Sequence, residues 1–107
     1  MTLQHIVLFS FPTALRPSDE DQLRAMVASW PREIGLMTKC RLGTDITGAR
    51  TRGYSHLLCT EFPDFDAMTA YRDHPVHQAF LGWLNERACV PLAFDYVLDD
   101  QTVLMPE

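Results

Sequence analysis

At 107 residues the chain has room for one hydrophobic core and not two, since a globular chain of this size buries roughly two thirds of the surface it exposes when unfolded. Apolar residues make up 47% and charged residues 21%, ordinary proportions for a folded domain, which excludes pervasive disorder. A formal net charge of −5 argues against nucleic acid and anionic lipid as partners, although Lys39, Arg41, Arg50 and Arg52 gather in one stretch that reads as a solvated loop.

Leu3 to Phe11 (LQHIVLFSF) is rich in β-branched and aromatic residues and stops at Pro12, which predicts a first strand rather than a short helix. Ser18, followed by Asp19, Glu20 and Asp21, offers a side-chain cap and three carboxylates where they oppose the positive end of a helix dipole. Leu23, Met26, Val27 and Trp30 then recur at i, i+3, i+4 and i+7, so the first helix carries one apolar face and ends at Pro31. Met37 to Leu42 predicts a second strand closed by Gly43, followed by a loose polar connection from Thr44 to Gly53. Tyr54 to Phe62 (YSHLLCTEF) predicts a third strand, ended by Pro63. Phe65, Met68 and Tyr71 mark a short second helix that breaks near residue 73, because a residue before proline avoids the α conformation. Pro75 opens a third helix, where Val76, Phe80, Trp83, Leu84 and Arg87 keep helical spacing to near Ala88. Val90 to Leu98 (VPLAFDYVL) predicts a fourth strand, so the domain spans 1–98 and residues 99–107 form a C-terminal tail, frayed or laid across a partner.

The order is β-α-β-β-α-β with its second helix in two pieces, an α+β, ferredoxin-like arrangement with a four-stranded antiparallel sheet. Its helices can cover one sheet face only. Yet the first strand is apolar on both sides, with Val7, Phe9 and Phe11 on one and Ile6 and Leu8 on the other. The fourth repeats this, with Ala93 and Val97 against Leu92, Phe94, Tyr96 and Leu98. A sheet with one wet face would alternate apolar with polar residues, so the second face calls for another copy of the chain: a homodimer joined through its sheet faces, a dimeric α/β barrel.

No apolar run reaches the length of a membrane span, and the chain opens on a strand pattern rather than a signal sequence, which makes a cytoplasmic location the expectation. Cys40, Cys59 and Cys89 are odd in number and lack paired metal or redox spacing, so they read as reduced packing residues. His77 shares a helix face with Phe80, Leu81 and Leu84, which turns its ring toward the sheet, and a helix start favours the neutral base there. Tyr71 and His77 flank the helix break and converge on one pocket, where His5, in line with Val7 and Phe9, can join them. Each of these groups also has a bland reading as a satisfied core residue. His74 and His77 form an H-x-x-H spacing, but Pro75 divides them between loop and helix, and no metal site is expected. His56 is expected in the pocket wall or as a partner of the break. Asp95 is given a structural role, and Glu61 is expected to face solvent. No serine stands in a nucleophile-elbow context and no glycine-rich phosphate loop follows a strand.

The segments Q-H-I-V-L-F-S-F at 4–11, L-G-T-D at 42–45, G-Y-S-H at 53–56, Y-R-D-H-P-V-H-Q-A-F at 71–80 and F-D-Y at 94–96 resemble the stress-responsive A/B barrel (Dabb) family from first strand to last. The resemblance implies a ferredoxin-like domain that dimerises through its sheets. Members include stress-induced proteins without known catalysis and a plant polyketide cyclase that needs no cofactor, so membership does not by itself make an enzyme. By motif match the cyclase's tyrosine falls on Tyr71, its base on His77 and its strand-one histidine on His5. That implies proton abstraction by His77, an oxyanion hydrogen bond from Tyr71 and orientation by His5, with no metal or organic cofactor. Met26, Val27, Trp30 and Trp83 depart from the family around the pocket and leave its length open. Three readings follow: a stress-related or ligand-binding homodimer holding a small apolar carbonyl compound among Val7, Phe9, His56 and Phe80; a cofactor-free cyclase or lyase; and a monooxygenase-like barrel acting on polycyclic aromatics.

Overall fold

The computed structural model describes residues 2–105; the expectations for residue 1 and for the tail's last two residues, 106 and 107, lie outside them. Seven elements follow in chain order: β1 (Thr2–Ser10), α1 (Pro17–Glu33), β2 (Lys39–Thr44), β3 (Tyr54–Phe62), α2 (Phe65–Asp73), α3 (Pro75–Glu86) and β4 (Val90–Leu98). The strands form one antiparallel sheet in the order β2-β3-β1-β4, with all helices on one face. This is the ferredoxin-like order read from the sequence, with the second helix split as expected.

Three boundaries differ from expectation, each for a local reason. Helix α1 starts at Pro17 with Arg16 as its cap rather than Ser18, because Asp19 turns back to accept the Arg16 amide at 3.3 Å. It also runs through Pro31 to Glu33, since a proline in the last turn forfeits only one backbone bond. Gly35, at φ 71, ends it, its amide returning to the Trp30 carbonyl at 3.1 Å. Strand β2 sits two residues later than the pattern suggested, because its pairing with β3 runs from Lys39↔Glu61 to Thr44↔His56 and holds Gly43 inside the ladder. That register corrects Glu61 as well. Its side chain is only 13% exposed and pairs with Lys39 at 3.6 Å instead of facing solvent.

Between helices and sheet lies the core. Trp30, Phe9, Phe62, Phe80, Leu23 and Tyr71 are essentially inaccessible, and Trp30 packs edge-on against Phe80 and Tyr71 at centroid distances of 4.9 and 5.6 Å. Arg87 ties α3 to α1, with its guanidinium 3.8 Å from the Trp83 ring centre and 3.0 Å from Asp19. That contact holds the Asp19 carboxyl below its ordinary value.

The other sheet face has no cover among the described residues. Val90, Leu92 and Phe94 of β4 are exposed to 58%, 50% and 65%, and Leu57 of β3 to 38%. Phe94 and Tyr96 lie side by side across this surface. Contiguous exposed apolar residues on a β-sheet mark an association surface, as the double-sided strand pattern predicts. After β4 the chain folds into a tight turn in which Asp99 accepts the Gln101 and Thr102 amides at 2.8 and 3.1 Å.

Candidate functional site

The site is built where α2 breaks into α3. His74, at φ −63 and ψ 138, leaves the helical region as a residue before proline must, and closes one helix while opening the next. Its Nδ1 accepts the Val76 amide at 3.1 Å, so the ring caps the N-terminus of α3. Among the described residues no three His, Cys, Asp or Glu side chains converge as a metal centre requires. Across the break, the Arg72 carbonyl receives His77 Nδ1 at 3.1 Å and Gln78 Nε2 at 2.7 Å.

That first bond decides the chemistry of His77. A carbonyl can only accept, so Nδ1 carries the proton, and in the neutral ring Nε2 presents its lone pair with no partner among the described residues. Burial holds the His77 pKa below its ordinary 6.5, the positive charges of His5 and Arg72 push the same way, and the Arg72 carbonyl opposes them. Burial is the largest of these causes, and it favours the neutral ring.

Tyr71 lies against it, ring centres 4.3 Å apart, boxed in by Phe62 at 4.8 Å and Trp30 at 5.6 Å. Its hydroxyl is buried without a hydrogen-bond partner among the described residues, as is the Trp30 indole nitrogen. Burial drives the phenol pKa far up, with the Cys40 thiol adding to it, so Tyr71 remains a donor throughout the physiological range. An orphaned buried hydroxyl costs about 1–3 kcal/mol.

His5 completes the group from β1, its ring centre 6.1 Å from that of Tyr71. The β1–β4 register sets His5 directly opposite Asp95, and His5 Nδ1 shares a short hydrogen bond with the Asp95 carboxylate. Asp95, given a structural role by the sequence, is thus the hydrogen-bond partner of His5.

These side chains line one cavity of about 200 Å³. Its floor is Val7 and Phe9 of β1 with Ala93 of β4, its wall is Phe80, Leu81 and Leu84 of α3, and Arg72 and Asp95 are the charged groups on it. Ala93 and Asp95 are exposed, so the cavity opens along the β4 edge. The expected trio His5, Tyr71 and His77 meets here, together with Val7, Phe9 and Phe80. His56 does not. Its ring is 5% exposed and turned to α1, where Nε2 donates to Glu20 at 2.8 Å, because Phe9↔His56 pairing places it beyond Phe9 and against Phe11. Neither its place nor that of Asp95 has a sequence signal short of knowing the strand register.

Residues 3–98 match the family model described as the stress responsive A/B barrel domain. The chain belongs to the stress responsive A/B barrel family. Among solved structures, this family member is similar to a dimeric ferredoxin-like protein of unknown function from Thermobifida fusca, at 25% identity over 92% of each chain and a TM-score of 0.77. The hydroxynitrile lyase of Passiflora edulis shares the fold at 19% identity over 92% of this chain and 94% of its own, with a TM-score of 0.80. SnoaB, a cofactor-independent oxygenase from Streptomyces nogalater, does so at 15% identity, 92% and 94% coverage and a TM-score of 0.69. No curated protein matches the chain significantly. No described helix is long and apolar enough to cross a membrane.

The lowered His77 pKa has a consequence for stability. The folded protein binds fewer protons than the unfolded chain once pH falls below 6.5, so His77 weakens folding on acidification and contributes no further loss below its folded-state pKa. Urea unfolding followed from about pH 7 to about pH 5 is expected to show stability falling with pH, with a shallower fall in His77→Gln. Equal slopes in both proteins would place the acid sensitivity elsewhere.

Proposed function

We propose that the protein acts as a homodimer, closed through the exposed faces of its sheets, that binds a small apolar carbonyl compound in the cavity beneath α3. The unpartnered Tyr71 hydroxyl carries this reading. His77 Nδ1 and Gln78 brace the helix break, whereas the phenol braces nothing among the described residues. A ligand carbonyl supplies the missing acceptor once the packing over the hydroxyl parts, while its carbon skeleton meets Val7, Phe9 and Phe80. The size of the cavity limits that skeleton. Drug-sized ligands occupy pockets of about 300 Å³ or more, whereas a dry cavity of about 150 Å³ holds benzene, so about 200 Å³ admits a single ring or a short aliphatic chain. That size favours such a ligand over the polycyclic aromatic considered for a monooxygenase.

A second reading, a cofactor-free lyase or cyclase, is favoured by the pinned tautomer of His77. Nε2 takes a proton from the carbon beside the carbonyl, the bonding electrons move onto the carbonyl oxygen, and Tyr71 hydrogen-bonds the enolate as it forms. His5, held by Asp95, orients the substrate. The fold's occurrence in a lyase and an oxygenase is compatible with this chemistry without assigning it.

Calorimetric titration with benzaldehyde and with cyclohexanone tests the first reading: both are expected to bind saturably and to compete with each other, and absence of heat from either would sink it. Deuterium exchange into cyclohexanone in heavy water tests the second. Exchange should be catalysed by the parent protein and slowed about a hundredfold by His77→Ala, the usual scale for a positioned base. An unchanged rate would remove His77 from that role.

A further inference from the structure

Away from this cavity, the three groups Ser55, His56 and Glu20 form a continuous chain of hydrogen bonds that the proposed function does not use. Ser55 Oγ lies 2.7 Å from His56 Nδ1, and His56 Nε2 lies 2.8 and 3.0 Å from the two Glu20 oxygens. A carboxylate can only accept, so the neutral ring carries its proton on Nε2 and turns the Nδ1 lone pair toward the serine hydroxyl, which donates to it. The imidazole is fixed in that pose, being buried and met edge-on by Phe11 at 5.5 Å and 88°.

The backbone presents the serine. The β1–β3 register slips after Phe9, pairing Phe9 with His56 and Ser10 with Tyr54, so that Ser55 is passed over in a β-bulge of the kind that re-aims side chains at strand ends. Ser55 and His56 both line a groove of about 340 Å³ at the loop end of β2 and β3, with Leu8 and Leu57 on its apolar side and Thr44 and Thr51 on its polar side.

From this geometry we infer that Ser55 is a nucleophile for acyl transfer from small neutral esters, with His56 as its base and Glu20 positioning the imidazole. Ser55 Oγ forms a bond to the ester carbonyl carbon as its proton passes to His56 Nδ1. The bond to the leaving oxygen then breaks, and that oxygen leaves with the proton from His56. Water attacks the acyl-serine in turn, its proton passing through His56 to Ser55 Oγ, and the carboxylic acid is released. Asp45 on the groove wall disfavours anionic esters. Nothing here depends on Tyr71 or His77, so the fate of the carbonyl cavity does not decide it.

The test uses the full chain and a fluorophosphonate, whose fluoride leaves as the serine oxygen bonds to phosphorus. Intact mass and peptide mapping are expected to show one adduct, on Ser55, absent in Ser55→Ala. Labelling should slow about a hundredfold or more in His56→Gln. Glu20→Gln should shift the pH dependence of labelling, and Glu20→Asp should restore it in part, which a merely structural contact would not do. Turnover of p-nitrophenyl acetate should follow the same ranking. No adduct, an adduct that persists in Ser55→Ala, or a Glu20→Gln profile identical to the parent's would overturn the proposal. Leu8 and Leu57 lie on the sheet face that pairs in the proposed dimer, so the labelling is run on the dimer, and no adduct there overturns the proposal whether the serine is inert or sealed off.

Discussion

Phe94→Glu is expected to convert the proposed dimer to a monomer with impaired folding. Phe94 is the most exposed of the apolar residues on β4, at 65%, and it stands among Leu92, Tyr96 and the outward Ile6 of β1. In a two-fold symmetric interface one substitution places two carboxylates in the apolar contact, each stripped of water without a partner. An uncompensated buried charge costs several kcal/mol, enough to move an obligate association by orders of magnitude. Sedimentation equilibrium should therefore give twice the chain mass for the parent and the single chain mass for the variant. The variant should also bind a hydrophobic dye through its bared sheet. A parent chain that sediments as a stable, folded monomer would end the paired architecture, and an unaltered dimer in the variant would move the interface off this face.

Tyr71→Phe should separate function from stability by changing them in opposite directions. Its hydroxyl is buried with no partner, so deleting the oxygen removes a desolvation cost of about 1–3 kcal/mol while leaving the ring packed against Phe62, Trp30 and His77. For a domain of about 60–100 residues each 1 kcal/mol corresponds to about 4–8 °C, so Tm is expected to rise by several degrees at equal protein concentration. The same change takes away the hydrogen bond to a ligand carbonyl, and benzaldehyde affinity should fall about tenfold, the equivalent of 1.4 kcal/mol. Differential scanning calorimetry and calorimetric titration on one preparation read both. A lower Tm with unchanged affinity would take Tyr71 out of the ligand site.

The sites that sequence pattern located and those it missed differ in the kind of information they need. Tyr71, His77 and Phe80 were placed together by a proline and by helical spacing, both features of contiguous residues, and the break at His74 follows from local sterics alone. The contacts of Asp95 and Ser55 leave no such trace in the sequence because they depend on strand pairing. Asp95 meets His5 across 90 residues through the β1–β4 register, and Ser55 is freed by a bulge that no residue type at 53–56 announces. His56 was put on the wrong wall for a related reason: alternation assigns its face correctly, but it stands at the α1 end of that face and finds Glu20 across 36 residues.

The amino-acid order by itself determined the number, kind and succession of elements, the helical break, and the presence of more apolar strand surface than one chain's helices can cover. These are consequences of backbone sterics and of the periods of 2 and 3.6 residues, which act over a few neighbours and are written in the chain. Tertiary structure alone decided which nitrogen of His77 is bare, which carboxylate meets which imidazole, that Tyr71 lacks an acceptor and that the cavity measures about 200 Å³. Those outcomes are differences of a few ångströms between groups far apart in sequence, fixed by strand register and by the way bulky rings such as Trp30 and Phe62 fill the core between them.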